Sequence, residues 1–399
     1  MQIAVQDRMR SPGVTAVFDA LADGVTRFVG GCVRDSLLGR PIRDIDIATD
    51  LEPKDVMSRA GRAGIKAVPT GIAHGTVTLV AKGEPFEVTT LRRDVETDGR
   101  RAVVAFTRDW REDALRRDFT MNALSMDRDG TVHDFFGGIE DARAGRVRFV
   151  GEAEERIRED VLRILRFFRF HAHYGKGAPD QAGYAACRKL AHLLPSLSGE
   201  RIRQEVLRLL EAEDPIPALQ MMSDTQIWPE IGIPAVDIPA LAAFIQLEGG
   251  ASAGPVPRLA ALLTADTDAG AIASALRLSG REASVLRDLR DLADDPAPAS
   301  DLIGEFLYRK GAEPARLAGR LAIARGGDAE AWGAVIAAAA DWAPRSFPLR
   351  GRDLLDAGMA PGAKVGALLE RVEAWWIDQG FKPGREECLA HARSLMAEK

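Results

Sequence analysis

Two aspartates separated by a single isoleucine carry the first chemical signal in the chain. Asp44 and Asp46 stand at positions i and i+2, so a β-strand would point both carboxylates to one face and the neighbouring isoleucines to the other. Two carboxylates that close repel each other unless a cation joins them. Mg²⁺ prefers such oxygen ligands, although a solvated strand edge would show the same spacing. The pair predicts either a divalent-metal site or an exposed strand.

A glycine pair and an arginine lie just before these aspartates. Gly30 and Gly31 end a β-like run and open a short helical stretch that contains Arg34. Glycine lets the backbone approach a ligand closely, a helix N-terminus offers unpaired N–H groups to an anion, and arginine binds phosphate. Together with the aspartates, this segment predicts a triphosphate held beside metal ions, as nucleotidyl transfer requires.

Two later segments would complete such a site. Glu87 lies in a β-like run and offers a third carboxylate, although an exposed strand residue fits the same position. In "LRRDFTMNAL", Arg117 can clamp phosphate and Asp118 can accept hydrogen bonds from ribose hydroxyls, with Asn122 close by. The alternative for this second segment is a helix start with its arginines facing solvent.

The segment "EDVLRILRFFRF" suggests how a base could be selected. Asp160 and Arg163 stand at i and i+3, so on a helix they share one face, as an ordinary ion pair also would. A carboxylate only accepts hydrogen bonds, and a guanidinium only donates them. Cytosine and adenine each present an amino donor beside a ring-nitrogen acceptor, whereas guanine and uracil present the opposite order. One Asp/Arg pair can therefore accept C and A and reject G and U.

Composition limits the class of protein. The chain has 399 residues, too many for one compact core, so we expect two or more domains. The formal net charge of −6 argues against a uniformly basic nucleic-acid coat but permits a local basic groove. Three scattered cysteines predict buried thiols in a reducing compartment, not a disulfide framework or a zinc site. We see neither a secretory signal nor a membrane-spanning run and expect a cytoplasmic location.

The character of the chain changes near residue 150. Before it, short β-branched runs alternate with helical ones, and "EPKDVMSRAGRAG" predicts a helix with Pro53 in its first turn. After it, the apolar spacing is helical, as in "EAEERIREDVLRILRFFRFHAHY" and in a helix that Ser198 would cap. The sequence predicts one mixed N-terminal domain followed by an all-helical half.

Four of these segments resemble the class II CCA-adding tRNA nucleotidyltransferases, relatives of bacterial poly(A) polymerases in the polymerase-beta-like superfamily. They are "GGCVRDSLLGRPIRDIDIAT", "FEVTTLRRDVETDGRRAVVAFTRDWREDALRRDFTMNAL", "HDFFGGIEDARAGRVRFVG" and "REDVLRILRFFRF", in the family's order and spacing. The resemblance implies an α+β fold, with a polymerase-beta-like nucleotidyltransferase head containing a mixed sheet, then an all-helical neck, body and tail. We expect the head at 1–148, the neck at 149–212, the body at 213–300 and the tail at 301–399.

The resemblance also assigns roles to residues. Asp44 and Asp46 would bind catalytic Mg²⁺, with Glu87 as the third carboxylate. The residues that would contact the nucleotide are Gly30, Gly31 and Arg34 for the triphosphate, Arg117, Asp118 and Asn122 for ribose and phosphates, Glu159, Asp160 and Arg163 for the base, and Arg166 and Arg169 for the triphosphate or the tRNA end. The implied substrates are CTP, ATP and the tRNA 3′ end, with no membrane partner.

Two alternatives to full CCA addition remain open at this point, a poly(A) polymerase and a partial, A-adding tRNA nucleotidyltransferase. The stretch "AVPTGIAHGTVTLV" favours the CCA-adding form over the basic, aromatic segment that is usual in poly(A) polymerases. "DVETDGRRA" matches the family's flexible loop, which is associated with the terminal A, and argues against a CC-only enzyme. His133-Asp134 is the single His-Asp pair, so we expect no fused phosphohydrolase domain.

Overall fold

A computed structural model describes residues 1–98 and 101–397. The chain forms two compact units, Met1–Val236 with Ser274–Leu278, and Asp237–Ala273 with the chain from Ser279 onward. All described strands belong to the first unit. They are β1 (Thr26–Val29), β2 (Asp46–Thr49), β3 (Lys66–Gly71), β4 (Thr76–Ala81), β5 (Glu84–Thr90), β6 (Arg92–Asp98), β7 (Arg101–Phe106), β8 (Leu124–Met126) and β9 (Val132–Asp134).

Seven of these strands form one mixed sheet in the order β3-β4-β5-β2-β1-β8-β9. The pair β2–β5 is parallel and the other neighbours are antiparallel. Strands β6 and β7 form a separate hairpin that follows β5 directly in the chain. The mixed sheet predicted for the N-terminal part is therefore confirmed.

Alternating side chains give the sheet its core. In β4, Val77 and Leu79 are buried between less buried threonines, as period-2 spacing requires. Phe28 in β1, Ile47 in β2 and Val88 in β5 join the same apolar cluster. This core holds the central strands rigidly, and the carboxylate-bearing segments are attached to those strands.

The helices of the first unit surround this sheet and then continue without further described strands. They are α1 (Pro12–Ala20), α2 (Gly31–Leu37), α3 (Pro53–Arg62), α4 (Trp110–Leu115), α5 (Gly138–Ala144), α6 (Ala153–Glu159), α7 (Arg163–Tyr174), α8 (Gln181–Leu190), α9 (Gly199–Leu210), α10 (Ile216–Asp224) and α11 (Ile227–Glu230). Pro53 is the first residue of α3, as predicted. Ser198 stands at the N-cap position of α9, but its side chain does not form a capping hydrogen bond there.

The rest of the chain is helical. Its helices are α12 (Ile238–Leu247), α13 (Pro255–Leu262), α14 (Ala269–Ala275), α15 (Gly280–Asp294), α16 (Ile303–Lys310), α17 (Ala312–Ala324), α18 (Ala329–Ala340), α19 (Gly351–Asp356), α20 (Ala363–Asp378) and α21 (Arg385–Ala397). The all-helical second half is thus confirmed, whereas the domain boundaries at 148, 212 and 300 stay predictions. None of the described helices has the length and apolarity to cross a lipid bilayer. All three cysteines are free and buried.

One expectation about the helices is wrong. The segment predicted as a continuous helix through Asp160 and Arg163 is broken, because α6 ends at Glu159 and α7 begins at Arg163. Asp160 is extended, with φ −150° and ψ 103°. Its carboxylate accepts a hydrogen bond from the main-chain N–H of Leu162 at 3.2 Å. Such side-chain bonds compete with helical ones, and apolar periodicity alone does not reveal that competition.

A cluster of phenylalanines fastens α7 to the sheet-bearing part of the chain. Phe119 and Phe149 form an isolated β-bridge, and their ring centroids are 5.0 Å apart. From α7, Phe167 stacks on Phe149 with centroids at 5.7 Å, and Phe170 lies 5.0 Å from Phe119. Aromatic pairs at these distances add to the free energy gained from burial.

We expect Phe167→Ala to lower the free energy of unfolding by about 3–5 kcal/mol, because the ring is fully buried and its removal leaves a cavity. Urea unfolding followed by circular dichroism measures this change. Leu115→Ala removes an exposed side chain and serves as the control, with an expected change within about 0.5 kcal/mol. A loss below 1 kcal/mol for Phe167→Ala would contradict the account of how α7 is fastened.

Candidate active site

Three carboxylates line one cavity where β2 and β5 run side by side. Asp46 is the first residue of β2 and pairs in register with Glu87 of β5. Asp44 lies two residues before Asp46, and both are exposed whereas the isoleucines that follow them are buried. All three acidic residues line one cavity of about 740 Å³. The spacing in the sequence therefore corresponds to a shared face.

Electrostatic repulsion marks this group. Partial burial, then the charge of Glu87, raise the pKa of Asp46, with a smaller contribution from Asp44, and Arg117 opposes them. Neighbouring carboxylates that make each other harder to ionise form a suitable site for a divalent cation, which would neutralise their charge. Among the residues that the structure describes, no three acidic, His or Cys side chains already form a closed metal cluster. A cation would have to draw these carboxylates together.

Gly30 allows an arginine to approach the backbone beside the carboxylates. It has φ +70° and precedes α2, which begins at Gly31. A β-carbon at position 30 would lie 2.9 Å from Nη1 of Arg117. The positive φ favours glycine, and any larger residue here would also push the Arg117 guanidinium away.

A second cavity of about 530 Å³ extends from Asp46 towards α7 and α9. Its walls are mostly basic. The arginines that line it are Arg34, Arg116, Arg117, Arg163, Arg166, Arg169 and Arg208, and the aspartates are Asp46, Asp118 and Asp160. Such an excess of guanidinium groups suits a polyphosphate.

A buried hydrogen-bond chain crosses the floor of this cavity. Asp118 accepts from Nε of Arg166 at 2.8 Å and from Nδ2 of Asn122 at 2.9 Å. Although burial opposes ionisation, Arg166 and then Asn122 hold the pKa of Asp118 below its ordinary value. Asn122 in turn accepts from Nη1 of Arg34 at 2.6 Å. The aspartate thus remains ionised at neutral pH and keeps these partners in place.

Arg34 lies in the cavity wall, and most of its donors are used within the protein. Besides Asn122, its guanidinium donates to both carboxylate oxygens of Asp35 at 2.9 Å and to the Tyr174 hydroxyl at 2.6 Å. The ring of Tyr174 also stacks against it, with 4.0 Å between the guanidinium carbon and the ring centroid. Arg34 therefore ties α2 to α7 as well as facing the cavity.

Asp160 and Arg163 both line the cavity, and the ion pair that was the alternative reading of their spacing is not formed. Asp160 instead accepts from Nη2 of Arg201 on α9, at 2.9 Å to each oxygen. Arg163 donates to Glu159 at 2.7 Å. The break between α6 and α7 separates the two side chains and gives each its own anchor. Glu159 thus holds Arg163, while Arg201 holds Asp160.

Sequence reasoning missed several residues that line this cavity or hold its lining side chains. Glu205 is buried on α9 and binds Arg169, with 2.5 Å between Oε2 and Nε. The sequence did contain a signal for Glu205, because it stands among Ile202, Val206 and Leu209 on the apolar face of the helix. An unpaired charge would be costly there, so a partner could have been expected. Asp113 stands at ion-pair spacing, i+3 and i+4, from Arg116 and Arg117. Tyr174, Arg201 and Arg208 gave no comparable local signal.

The predicted flexible loop "DVETDGRRA" is only partly covered. Gly99 and Arg100 lie outside the described residues, and the segments on either side pair as β6 and β7. Its association with the terminal A stays a prediction.

A mixed sheet that aligns carboxylates beside an arginine-lined cavity defines a nucleotidyltransferase. Residues 26–148 match the poly A polymerase head domain, and residues 179–236 match the probable RNA- and SrmB-binding site of polymerase A. The human CCA tRNA nucleotidyltransferase 1, mitochondrial, is 34% identical over 384 residues, which cover 92% of this chain and 86% of the human protein. The CCA-adding enzyme of Levilactobacillus brevis is 33% identical over 379 residues, or 92% of each chain.

A solved structure agrees with these relatives. The crystal structure of the Bacillus stearothermophilus CCA-adding enzyme in complex with CTP matches with a TM-score of 0.76 and 30% identity, covering 99% of each chain. The chain belongs to the CCA-adding enzymes, the CCA tRNA nucleotidyltransferase family. Both the family and the fold inferred from the sequence motifs are confirmed, and enzymes of this family generally use divalent metals.

We expect Asp46→Asn to stabilise the metal-free protein at neutral pH. Because the folded protein raises the pKa of Asp46, its ionised form weakens folding above that pKa. The gain should stay below about 1 kcal/mol, since solvent screens this exposed group. It should shrink as the pH falls towards the ordinary aspartate value of 3.8, where the carboxyl is neutral in both states.

Thermal unfolding in EDTA across this pH range measures the effect. Asp55→Asn, an exposed change on α3, is the matched control and should give no gain. A loss of stability in Asp46→Asn at neutral pH would contradict the repulsion inferred here.

Proposed function

We propose that this protein adds C, C and A to the 3′ end of tRNA, with CTP and ATP as substrates. One observation carries the proposal: a single cavity is lined by the metal-suited Asp46 and by the base-suited Asp160 and Arg163. Membership of the CCA-adding family supports the same substrates. The cytoplasmic location stays a prediction, and the human relative is named mitochondrial.

The three carboxylates would hold Mg²⁺. Asp44, Asp46 and Glu87 offer oxygen ligands at one edge of the sheet, and their repulsion would be relieved by a cation. Bound there, Mg²⁺ supplies activation of the RNA 3′-hydroxyl and neutralisation of the leaving pyrophosphate. The rigid β2–β5 pairing keeps Asp46 and Glu87 aligned, so the protein contributes orientation.

The triphosphate would lie along the arginine-lined wall. Arg117 packs over Gly30, beside Asp46, and Arg166 is held by Asp118. Guanidinium groups fixed by carboxylates need little reorganisation when phosphate charge develops in the transition state. Asp118 and Asn122 line the same cavity, so Asp118 would accept hydrogen bonds from ribose hydroxyls and Asn122 would donate to them.

The base would be selected by hydrogen-bond polarity. Asp160 can accept from the amino group of cytosine or adenine, and Arg163 can donate to the adjacent ring nitrogen. Their separate anchors, Arg201 and Glu159, would keep each side chain in one orientation. Guanine or uracil would set donor against donor and acceptor against acceptor, which costs about 1–3 kcal/mol for each unpaired buried group.

The helical segments would bind the RNA. We assign the head to 1–148, the neck to 149–212, the body to 213–300 and the tail to 301–399. The match at 179–236 to a probable RNA-binding segment supports an RNA contact that starts in the neck.

Incubation of the purified protein with tRNA lacking its CCA end, CTP, ATP and Mg²⁺ tests the function. We expect three added nucleotides and then arrest, and loss of addition in EDTA. Open-ended addition of A to any RNA would indicate a poly(A) polymerase instead. Addition of a single A, and only to tRNA that already ends in CC, would indicate the partial enzyme.

Arg163→Ala should weaken base selection. We expect kcat/KM for CTP and ATP to fall about 10- to 100-fold, because a buried acceptor on the base loses its donor. The ratio of these values to those for GTP and UTP should fall with it. Arg158→Ala, an exposed change in the adjacent helix α6, is the control and should keep the ratio. Unchanged discrimination in Arg163→Ala would refute the assignment of the base-reading pair.

A further inference from the structure

Asp113 is a buried carboxylate that holds two arginines of the nucleotide cavity. It lies on α4 and is 2% exposed. Its Oδ1 accepts from Nε of Arg116 at 2.9 Å, and its Oδ2 from Nη2 of Arg117 at 3.2 Å. Burial opposes its ionisation, but Arg117 and Arg116 hold the pKa of Asp113 below its ordinary value. The group is therefore a fixed anion between two guanidinium groups.

Both arginines need such a partner to hold their guanidinium groups in one orientation. An arginine side chain carries about 2 kcal/mol of rotamer entropy, so a free guanidinium would be spread over many positions. Arg117 is confined by Asp113 on one side and by the close approach to Gly30 on the other. Nη1 of Arg117 also donates to the carbonyl of Asn122 at 3.4 Å, and the side chain lines the cavity beside Asp46.

The same carboxylate also holds the root of the hairpin. The main-chain N–H of Arg92, the first residue of β6, donates to Oδ1 of Asp113 at 3.3 Å. The side chain of Arg92 donates to the carbonyl of His74, and the N–H of Thr107 donates to the carbonyl of Leu91 at 2.9 Å. Asp113 therefore connects the hairpin that follows the Glu87-bearing strand to the phosphate-facing arginines.

A further bond leads to the base-facing side of the cavity. The main-chain carbonyl of Arg116 accepts from Nη2 of Arg163 at 3.2 Å and from Arg156. The position of Arg116 therefore affects the position of the Arg163 guanidinium as well as the contacts to the phosphates. Asp113 and Arg116 thus connect three segments: the start of β6, the arginines that follow α4, and the start of α7.

We propose that Asp113 is a positioning residue for nucleotidyl transfer: it aims Arg116 and Arg117 at the nucleotide phosphates and fixes the root of the β6–β7 hairpin. The inference rests on the proposed function, because it concerns the same cavity. Asp113 itself does not touch the nucleotide.

Asp113→Asn tests this role, since it preserves the shape and removes the charge. We expect the KM values for CTP and ATP and the inhibition constant of inorganic pyrophosphate to rise together, about tenfold, because all three ligands share the phosphate contacts. We also expect kcat/KM to fall about 10- to 100-fold, as misplaced catalytic contacts do. A mere loss of folded protein would lower the apparent kcat and leave the inhibition constant unchanged.

Glu112→Gln is the matched control. It removes the same charge one residue away, from a carboxylate that accepts from the Thr107 hydroxyl at 2.5 Å. We expect its kinetic constants within twofold of wild type. Amide hydrogen exchange at Arg92 should become faster in Asp113→Asn and stay unchanged in Glu112→Gln.

The outcomes separate the two proposals. Failure of the wild-type protein to add nucleotides to tRNA would sink the proposed function itself. An active wild type with unchanged or tighter pyrophosphate inhibition in Asp113→Asn would overturn only the inference. Should Asp113→Asn fail to fold, Asp113→Glu is the deciding variant, because it keeps the charge but moves it by one methylene. Weaker pyrophosphate inhibition in Asp113→Glu would support the proposal. Inhibition equal to that of the wild type would refute it.

Discussion

Strands β2 and β5 run parallel, and parallel strands cannot be joined by a tight turn. The chain must leave β2, pass through α3, β3 and β4, and return before Glu87 can stand beside Asp46. The register of this pair is fixed by its apolar side, where Ile47 is opposite Val88 and both are buried. A slip by one residue would expose these side chains and turn Glu87 to the other face. The position of the carboxylates therefore follows from the packing of the core beneath them.

The protein is acidic overall, but the cavity of its candidate active site is basic. The chain has a net charge of −6, yet seven arginines line the space beside Asp46. Six of these arginines form an ion pair with a carboxylate of the protein, as Arg166 does with Asp118 and Arg169 with Glu205. These partners reduce the local charge and in exchange fix the direction of the remaining donors. An arrangement of this kind favours orientation over raw attraction.

The sequence was most informative about functional residues that lie close together along the chain. Asp44 and Asp46 alternate with buried isoleucines, so period-2 geometry suffices to predict a shared face. The helix break at Asp160 was not predictable from apolar periodicity, because the pattern continues across it. It depends on a hydrogen bond to Leu162 and on Arg201, which is 41 residues further along the chain.

Most of the missed residues act through contacts between segments that are far apart in the chain. Asp113 stands three and four residues before the arginines that it binds, but its bond to Arg92 spans 21 residues and is set by the tertiary fold. Neither composition nor local pattern encodes such a pairing. Glu205 is the instructive exception, because a charge on the apolar face of a helix could have been noticed without a structure.

The separation of Asp160 from Arg163 has a consequence for altering nucleotide preference. Had the two formed an intrahelical pair, a change in either one would have released the other. Since Asp160 is anchored to α9 and Arg163 to α6, each can be exchanged while its neighbour keeps its place. A designer who wished to invert the hydrogen-bond polarity would have to replace each anchor along with its reader, Arg201 with the first and Glu159 with the second. Under the proposed function, Asp160 and Arg163 would thus be held through different partners, although Arg163 also donates to the carbonyls of Arg116 and Arg156.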